Sequence, residues 1–267
     1  SYIESIFFRI ILVLIILDIM NKLSAVFWDI DGTIADTELC GHRVAFNLAF
    51  KDFELDWYWN KHKYLELLKI SGGLNRIIYY RNEIHSDITY EECSKIQSRK
   101  GFYYRKLIQS GKIRVRDGVL RLIAELDAFK IEQFIVTTSG RDSLYPFLNT
   151  SLKSHFNIFS KIITYEDVSK HKPYPDAYNL AVQLSNYPPA SCIAIEDSSN
   201  GVEAAQAANL NCLLTLPPWS STYQNMTKKA TACVNRLGNE NNNSKIVYGK
   251  PLINNIVDYA YLTNIIN

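Results

Sequence analysis

Three short apolar runs in this chain end abruptly in polar chemistry, and that pattern constrains the fold more than any other feature. "AVFWDIDGT" delivers Asp29 and Asp31 at its end, "EQFIVTTS" delivers Thr137 and Thr138, and "CIAIEDSSNG" delivers Glu196 and Asp197. Residues 161–164 and 212–216 read as two further strands. Between the strands, apolar residues recur at helical spacing over 118–130, 144–153, a segment beginning near Pro175, and 201–208. Strands alternating with helices predict βαβ units, and so an α/β fold with a Rossmann-like parallel sheet flanked by helices. In an open parallel sheet the carboxyl ends of the strands line the ligand crevice, so polar ends on three strands predict one site.

The alternation is interrupted once. From residue 37 to about 112 the pattern is helical throughout ("HRVAFNLAF", "YLELLKI", "RIIYYRNEI", "YEECSKIQSRKGFYYRKLI"), with almost no strand character. The expected organisation is a catalytic core in two pieces, 22–37 and 113–237, with a helical insertion over 38–112. The aromatic residues of "DWYWNKHKY" are expected in the core of that insertion. "NENNNS" from Asn239 reads as a surface loop, and 238–267 as a tail whose "LINNIVDYAYLTNII" closes in a helix. Residues 1–21 form a separate extension. Its charge-free run covers only 10–17 between Arg9 and Asp18, short of the ~20 apolar residues that span a bilayer. The reading is an upstream extension or an amphiphilic helix outside the fold, not a membrane span.

Composition removes several function classes. A net charge of +2 without a basic block argues against a nucleic-acid partner. The five cysteines have no paired spacing, and Cys192 and Cys212, inside apolar runs, read as small buried thiols in a reducing compartment. No HExxH or paired CxxC pattern offers a zinc site.

The strand ends carry the chemistry. Asp29 and Asp31 sit one residue apart before Gly32, and two like charges that close call for a cation or a shared proton between them. A lone DxDG is equally a solvated turn. Asp197 at a second strand end, with Glu196 beside it, makes an all-oxygen set that selects a hard ion, best Mg²⁺ with a substrate phosphate. Thr137 offers a hydroxyl. Lys172, alone an ordinary surface lysine, stands before Pro173 and Pro175, which stiffen its loop. A carboxylate nucleophile, a neighbouring acid, a metal, a cation and hydroxyl donors equip a site for phosphoryl transfer.

"DIDGT", "VTTS", the "KP" of "HKPYPDAY" and "IEDSSNGVEAA" fall in the order and spacing of the four motifs of the haloacid dehalogenase superfamily, which the chain resembles over about 22–237. The resemblance implies Asp29 as the nucleophile that becomes an aspartyl-phosphate and Asp31 as general acid/base. It implies Thr137 and Lys172 as phosphate and nucleophile stabilisers. Mg²⁺ would be held by Asp29, the Asp31 backbone carbonyl and Asp197, with Glu196 in support. The insertion resembles the superfamily's helical cap, of the phosphoglucomutase-like branch, which implies a cover that excludes water and reads the substrate. "DWYW", "SGGLNRI" and "DYAYL" resemble the CbbY group, phosphatases of the Rubisco inhibitor xylulose-1,5-bisphosphate. That implies a small-molecule sugar-phosphate substrate, no required oligomer, and a chloroplast stroma or bacterial cytoplasm. Arg76 beside Gly72 and Gly73 is the candidate for a second phosphate, and is otherwise an exposed helix residue. Asp36, with Glu38 behind it, is the candidate for sugar contact, and Thr138 is a further candidate for substrate binding. His42 either lines the junction after the first motif or simply packs. A β-phosphoglucomutase would share the same chemistry; a non-catalytic phosphate-binding module would not need all of Asp29, Asp31, Lys172 and Asp197. A dehalogenase would need neither Asp31 nor Asp197.

Overall fold

The computed structural model describes residues 22–70, 72–217 and 229–267, so the extension expected over 1–21 lies outside the described residues. By its internal contacts the chain divides into two units. Among the described residues, the first comprises those up to 34, 116–141 and those from 154 onward, and the second those of 35–115 with 142–153.

The first unit holds strands β1 (Ala25–Trp28), β2 (Glu132–Val136), β3 (Phe159–Ile163), β4 (Cys192–Glu196), β5 (Asn211–Thr215), β6 (Ala232–Val234) and β7 (Ile246–Tyr248). They form one sheet in the order β3-β2-β1-β4-β5-β6-β7, parallel except for β7, which runs antiparallel to β6. The chain winds outward from β1 to β3 and then returns to place β4 on the other side of β1. The β1/β4 boundary is therefore the switch point, where such sheets open a crevice at their carboxyl ends.

Central strands read as near-continuous apolar runs because helices cover both faces. On one face Ala25, Phe27, Phe134 and Val136 join Ala177, Tyr178, Ala181, Val202 and Ala205 in one buried cluster. Those partners lie on or beside the helices Asp176–Ser185 and Ser199–Ala207, and the Phe27 and Phe134 rings stand 5.4 Å apart. On the other face the buried Gln133 accepts from Trp28 Nε1 at 3.0 Å and donates to the Ile123 carbonyl, also at 3.0 Å, in the helix Val119–Ala128. A polar side chain inside the core is thereby satisfied at both ends.

The sheet extends past the expected end of the core at 237. β6 and β7, unread in the sequence, are three residues each, too short for any alternation to register. The closing helix runs over Tyr259–Ile266 and packs on the Val119–Ala128 helix and β4. It begins later than the apolar pattern suggests because Asp258 accepts from the Tyr261 amide at 2.7 Å and caps it. Residues 142–153, placed in the core by the sequence, group with the second unit, where Ser151 Oγ donates to the Ile113 carbonyl at 3.2 Å.

In that second unit lie α1 (Arg43–Asp52), α2 (Lys61–Leu67), α3 (Gly73–Glu83) and α4 (Tyr90–Gln109), preceded by a π-helical turn at Glu38–His42. In chain order the remaining helices are then α5 (Val119–Ala128), α6 (Arg141–Ser151), α7 (Asp176–Ser185), α8 (Ser199–Ala207) and α9 (Tyr259–Ile266), of which α6 groups with the second unit. The helical unit has its own core of Phe46, Phe50, Trp57, Trp59, Tyr64, Leu67, Ile77 and Ile96. Trp57 and Trp59 of "DWYW" are buried there, with Trp59 4.8 Å from the Phe50 ring, while Tyr58 between them is exposed. Thr89 and Glu92 form a reciprocal capping box that starts α4.

Candidate active site

The first unit gathers its chemistry at the β1/β4 switch point. β1 stays in register one residue past its end, with the Asp29 amide donating to the Ile195 carbonyl at 3.1 Å. The chain then turns: Gly32 adopts φ +89°, and the Thr33 and Ile34 amides both donate to the Ile30 carbonyl. Only glycine enters that backbone region readily. A side chain at position 32 would also overlap the Asp197 carboxylate, so the glycine serves both the turn and its neighbour.

Lys172 is the hub. Its side chain is nearly enclosed, and Nζ donates to Asp29 Oδ1 at 2.8 Å, Glu196 Oε1 at 2.6 Å and the Val136 carbonyl at 2.9 Å. Those acceptors account for all three ammonium protons. The lysine thus ties the ends of β1, β2 and β4 together. Burial works against the ammonium, but the Asp29 and Glu196 carboxylates outweigh it and hold the Lys172 pKa above its ordinary value. Burial raises Asp29 to about 7, against the pull of Lys172 and with the Glu196 and Asp31 carboxylates adding to the rise. Glu196 is fully buried; Tyr178 on α7 donates its hydroxyl to Oε1 at 2.6 Å, and Ser198 Oγ reaches Oε2 at 3.5 Å. Burial and the Glu196 charge keep the Tyr178 hydroxyl protonated, its pKa well above the ordinary value.

Among the described residues, Asp29, Glu196 and Asp197 each present a carboxylate oxygen within 4.8 Å of the others. Three carboxylates in part shielded by one ammonium leave an excess of negative charge, and the donors are all oxygen. That set fits a hard divalent cation such as Mg²⁺. The Asp31 carboxylate is instead tied to Ser139, whose Oγ donates to Oδ2. Thr137 is buried at the end of β2, with its amide bonded to the Ile163 carbonyl at 3.0 Å and its hydroxyl accepting from the Ser139 amide at 3.0 Å. Thr138 follows it, exposed.

The structure therefore brings Asp29, Asp31, Thr137, Lys172, Glu196 and Asp197 together in the first unit. Thr138 lies in the same unit, and the remaining sequence candidates belong to the helical unit. Asp36 Oδ2 accepts from Cys40 Sγ at 3.7 Å. The His42 ring stacks on Tyr104 with centroids 3.9 Å apart, its Nδ1 2.8 Å from Lys100 Nζ. Gly73 opens α3 with the Gln97 side chain packed where a Cβ would lie, and Arg76 Nε donates to the Ile70 carbonyl at 2.8 Å. Glu38 Oε2 accepts from the buried Tyr64 hydroxyl at 2.5 Å.

Sequence reasoning missed Ser139, Tyr178 and Arg116. Ser139 stands inside a quoted motif, and two polar residues before it absorbed its signal. Tyr178 lies six residues after Lys172, a separation that brings it back only through a loop and a helix start. Arg116 donates to the Gly32 carbonyl, to Leu216 O at 2.6 Å and to Thr215 Oγ1 at 3.4 Å, which anchors the turn after Asp31 to the end of β5. Its acceptors are mainly backbone, and no spacing of side chains announces them.

The model of haloacid dehalogenase-like hydrolases matches residues 26–215. Protein CbbY of Rhodobacter capsulatus is 36% identical over 195 residues, 73% of this chain and 86% of that protein. A CBBY-like protein of Arabidopsis thaliana is 32% identical over 72% of this chain and 63% of its own length. The crystal structure of a mutant CbbY from Rhodobacter sphaeroides in complex with xylulose-(1,5)bisphosphate superposes with a TM-score of 0.65 at 32% identity, covering 73% of this chain and 87% of that one. The chain belongs to the haloacid dehalogenase-like hydrolases, and it is an enzyme of their phosphatase type.

Proposed function

We propose that this enzyme is a Mg²⁺-dependent sugar-phosphate phosphatase acting through an aspartyl-phosphate on Asp29, with xylulose-1,5-bisphosphate as substrate and removal of that Rubisco inhibitor as its role. The observation that carries the reading is the Lys172 ammonium shared between Asp29 and Glu196 at the switch point, with Asp197 completing an all-oxygen group. The bound sugar bisphosphate in the Rhodobacter sphaeroides relative supports the choice of substrate.

An Asp29 carboxylate oxygen attacks phosphorus; the P–O bond to the sugar breaks, and the departing oxygen takes a proton from Asp31. Asp31, now a carboxylate held by Ser139, then accepts a proton from the water that attacks the same phosphorus and frees Asp29. Lys172 keeps Asp29 oriented and balances charge on the transferring group, and the Thr137 hydroxyl and the Thr138 amide donate to phosphoryl oxygens. A divalent cation held by Asp29, Asp197, Glu196 and the Asp31 carbonyl supplies further charge neutralisation when bound. Arg76, Gly73, Asp36, His42 and Thr138 are proposed as the residues that read the rest of the substrate, Arg76 taking the second phosphate. Relatives in Rhodobacter and Arabidopsis support a bacterial cytoplasm or a chloroplast stroma as the location.

The test is phosphate release, with and without Mg²⁺, across pentulose and hexose mono- and bisphosphates. The reading expects Mg²⁺-dependent release, fastest from xylulose-1,5-bisphosphate, and none from Asp29→Asn. Isomerisation of β-glucose-1-phosphate that needs a bisphosphate primer and frees almost no phosphate would make the enzyme a mutase instead.

A further inference from the structure

Glu196 has two carboxylate oxygens with different surroundings, and the difference traces to Tyr178. Oε1 receives two donors, Lys172 Nζ and the Tyr178 hydroxyl, each at 2.6 Å. A carboxylate brings no proton, so the tyrosine must donate. The hydrogen bond to Oε2 comes from Ser198 Oγ at 3.5 Å, the outer limit of such a contact. Tyr178 has no exposed surface, and its ring stands 5.1 Å from the Lys172 ammonium, so the hydroxyl has one place to be. Lys172 alone does not fix the carboxylate plane, because its other two protons go to Asp29 and Val136 and a single hydrogen bond to Glu196 leaves that plane room to turn. On the far side Gly201 offers no Cβ to hold the carboxylate in one rotation.

We infer that Tyr178 is a positioning residue for the metal group: by holding Oε1 on the lysine side, it leaves Oε2 as the oxygen Glu196 presents to a divalent cation. This rests on the phosphatase reading above, specifically on Asp29, Glu196 and Asp197 as the cation's ligands. Without the hydroxyl, Oε1 keeps one donor, and the plane of the carboxylate is held less firmly. Cation affinity falls while the groups that touch substrate stay in place.

The test is direct titration with Mn²⁺, followed by electron paramagnetic resonance of the free ion, on wild type, Tyr178→Phe and Asp197→Asn without substrate. Tyr178→Phe keeps the ring, and far-UV circular dichroism in EDTA checks its fold. The expected result is about tenfold weaker Mn²⁺ binding by Tyr178→Phe, the scale of one hydrogen bond to a charged group. A merely structural role would lower the unfolding temperature and leave Mn²⁺ affinity alone. Wild-type Mn²⁺ affinity in Tyr178→Phe, with binding lost in Asp197→Asn, overturns this inference and leaves the phosphatase reading standing. Wild-type affinity in Asp197→Asn overturns the metal group itself, and this inference with it.

Discussion

Gly201→Ala is ordinarily a stabilising kind of substitution, and here its sign should reverse. Gly201 is the third residue of α8 and has no unusual backbone angle, so alanine gains up to ~1 kcal/mol of helix propensity. Its new Cβ, however, would overlap both oxygens of the Glu196 carboxylate. Glu196 is fully buried and must shift, which breaks or stretches its bonds from Lys172 and Tyr178, both 2.6 Å. Hydrogen bonds to a charged group are worth ~1.5–3 kcal/mol each, so losing two costs about 3–6 kcal/mol. Set against the propensity gain, the net destabilisation is ~2–5 kcal/mol. The assay is urea unfolding in EDTA, followed by far-UV circular dichroism, on four proteins: wild type, Gly201→Ala, Glu196→Ala and the double variant. Once Glu196 is alanine nothing remains to collide with, and Gly201→Ala becomes neutral or stabilising by up to ~1 kcal/mol. An equal cost for the glycine step in both backgrounds would refute the reasoning, because the strain would then lie elsewhere than at Glu196.

Three further outcomes follow from the same geometry. Asp29 holds its proton to about 7 in the folded metal-free protein against an ordinary 3.8, so the unfolded chain releases it first and stability falls as pH rises between those values. The stability of Asp29→Asn relative to wild type in EDTA should therefore grow from about pH 4 to about pH 7 and then level off; a flat or opposite trend in urea midpoints would contradict the assignment. Ser139→Ala removes the hydroxyl that donates to Asp31 Oδ2 and should lower kcat on a sugar phosphate about tenfold at unchanged KM, with a smaller loss on p-nitrophenyl phosphate, whose leaving group needs no proton; equal losses on both would remove Ser139 from the proton-transfer step. Gln133→Leu leaves Trp28 Nε1 without its buried acceptor and should cost ~1–3 kcal/mol in unfolding free energy with kinetics unchanged, and Trp28→Phe in the same chain should recover part of it.

The sequence made the centre of the sheet legible because its strands are buried on both faces and stop at polar residues. β1, β2 and β4 carry that signature in full. β6 and β7 do not: three residues hold too little pattern, and their pairing depends on an edge left open by β5. The start of α9 was hidden for a different reason. Apolar residues run on ahead of it, and the boundary is set by one side-chain-to-backbone bond at Asp258. Lys172, Asp29 and Asp197 could be named because each is a charged residue in a distinctive local pattern. Arg116 and Tyr178 could not, since what they serve is a carbonyl or a carboxylate oxygen that loses its partner only when strand ends meet.

The glycines connect these observations. Gly32 follows Asp31 in the first motif, yet the side chain it makes room for is Asp197, from the fourth. Gly201 makes room for Glu196 from a helix that begins three residues after it. Each acid at the end of β4 thus sits against a backbone with no side chain, one from across the switch point and one from the following helix. The missing Cβ lets each carboxylate approach the backbone more closely than any other residue at that position would allow. The repulsion between acids so close is met in part by the lysine rather than by spreading the acids apart, and what remains adds to the burial that raises Asp29 to about 7. The spacing of glycine to aspartate within one motif is therefore half of a constraint whose other half is written more than 160 residues later, in Asp197.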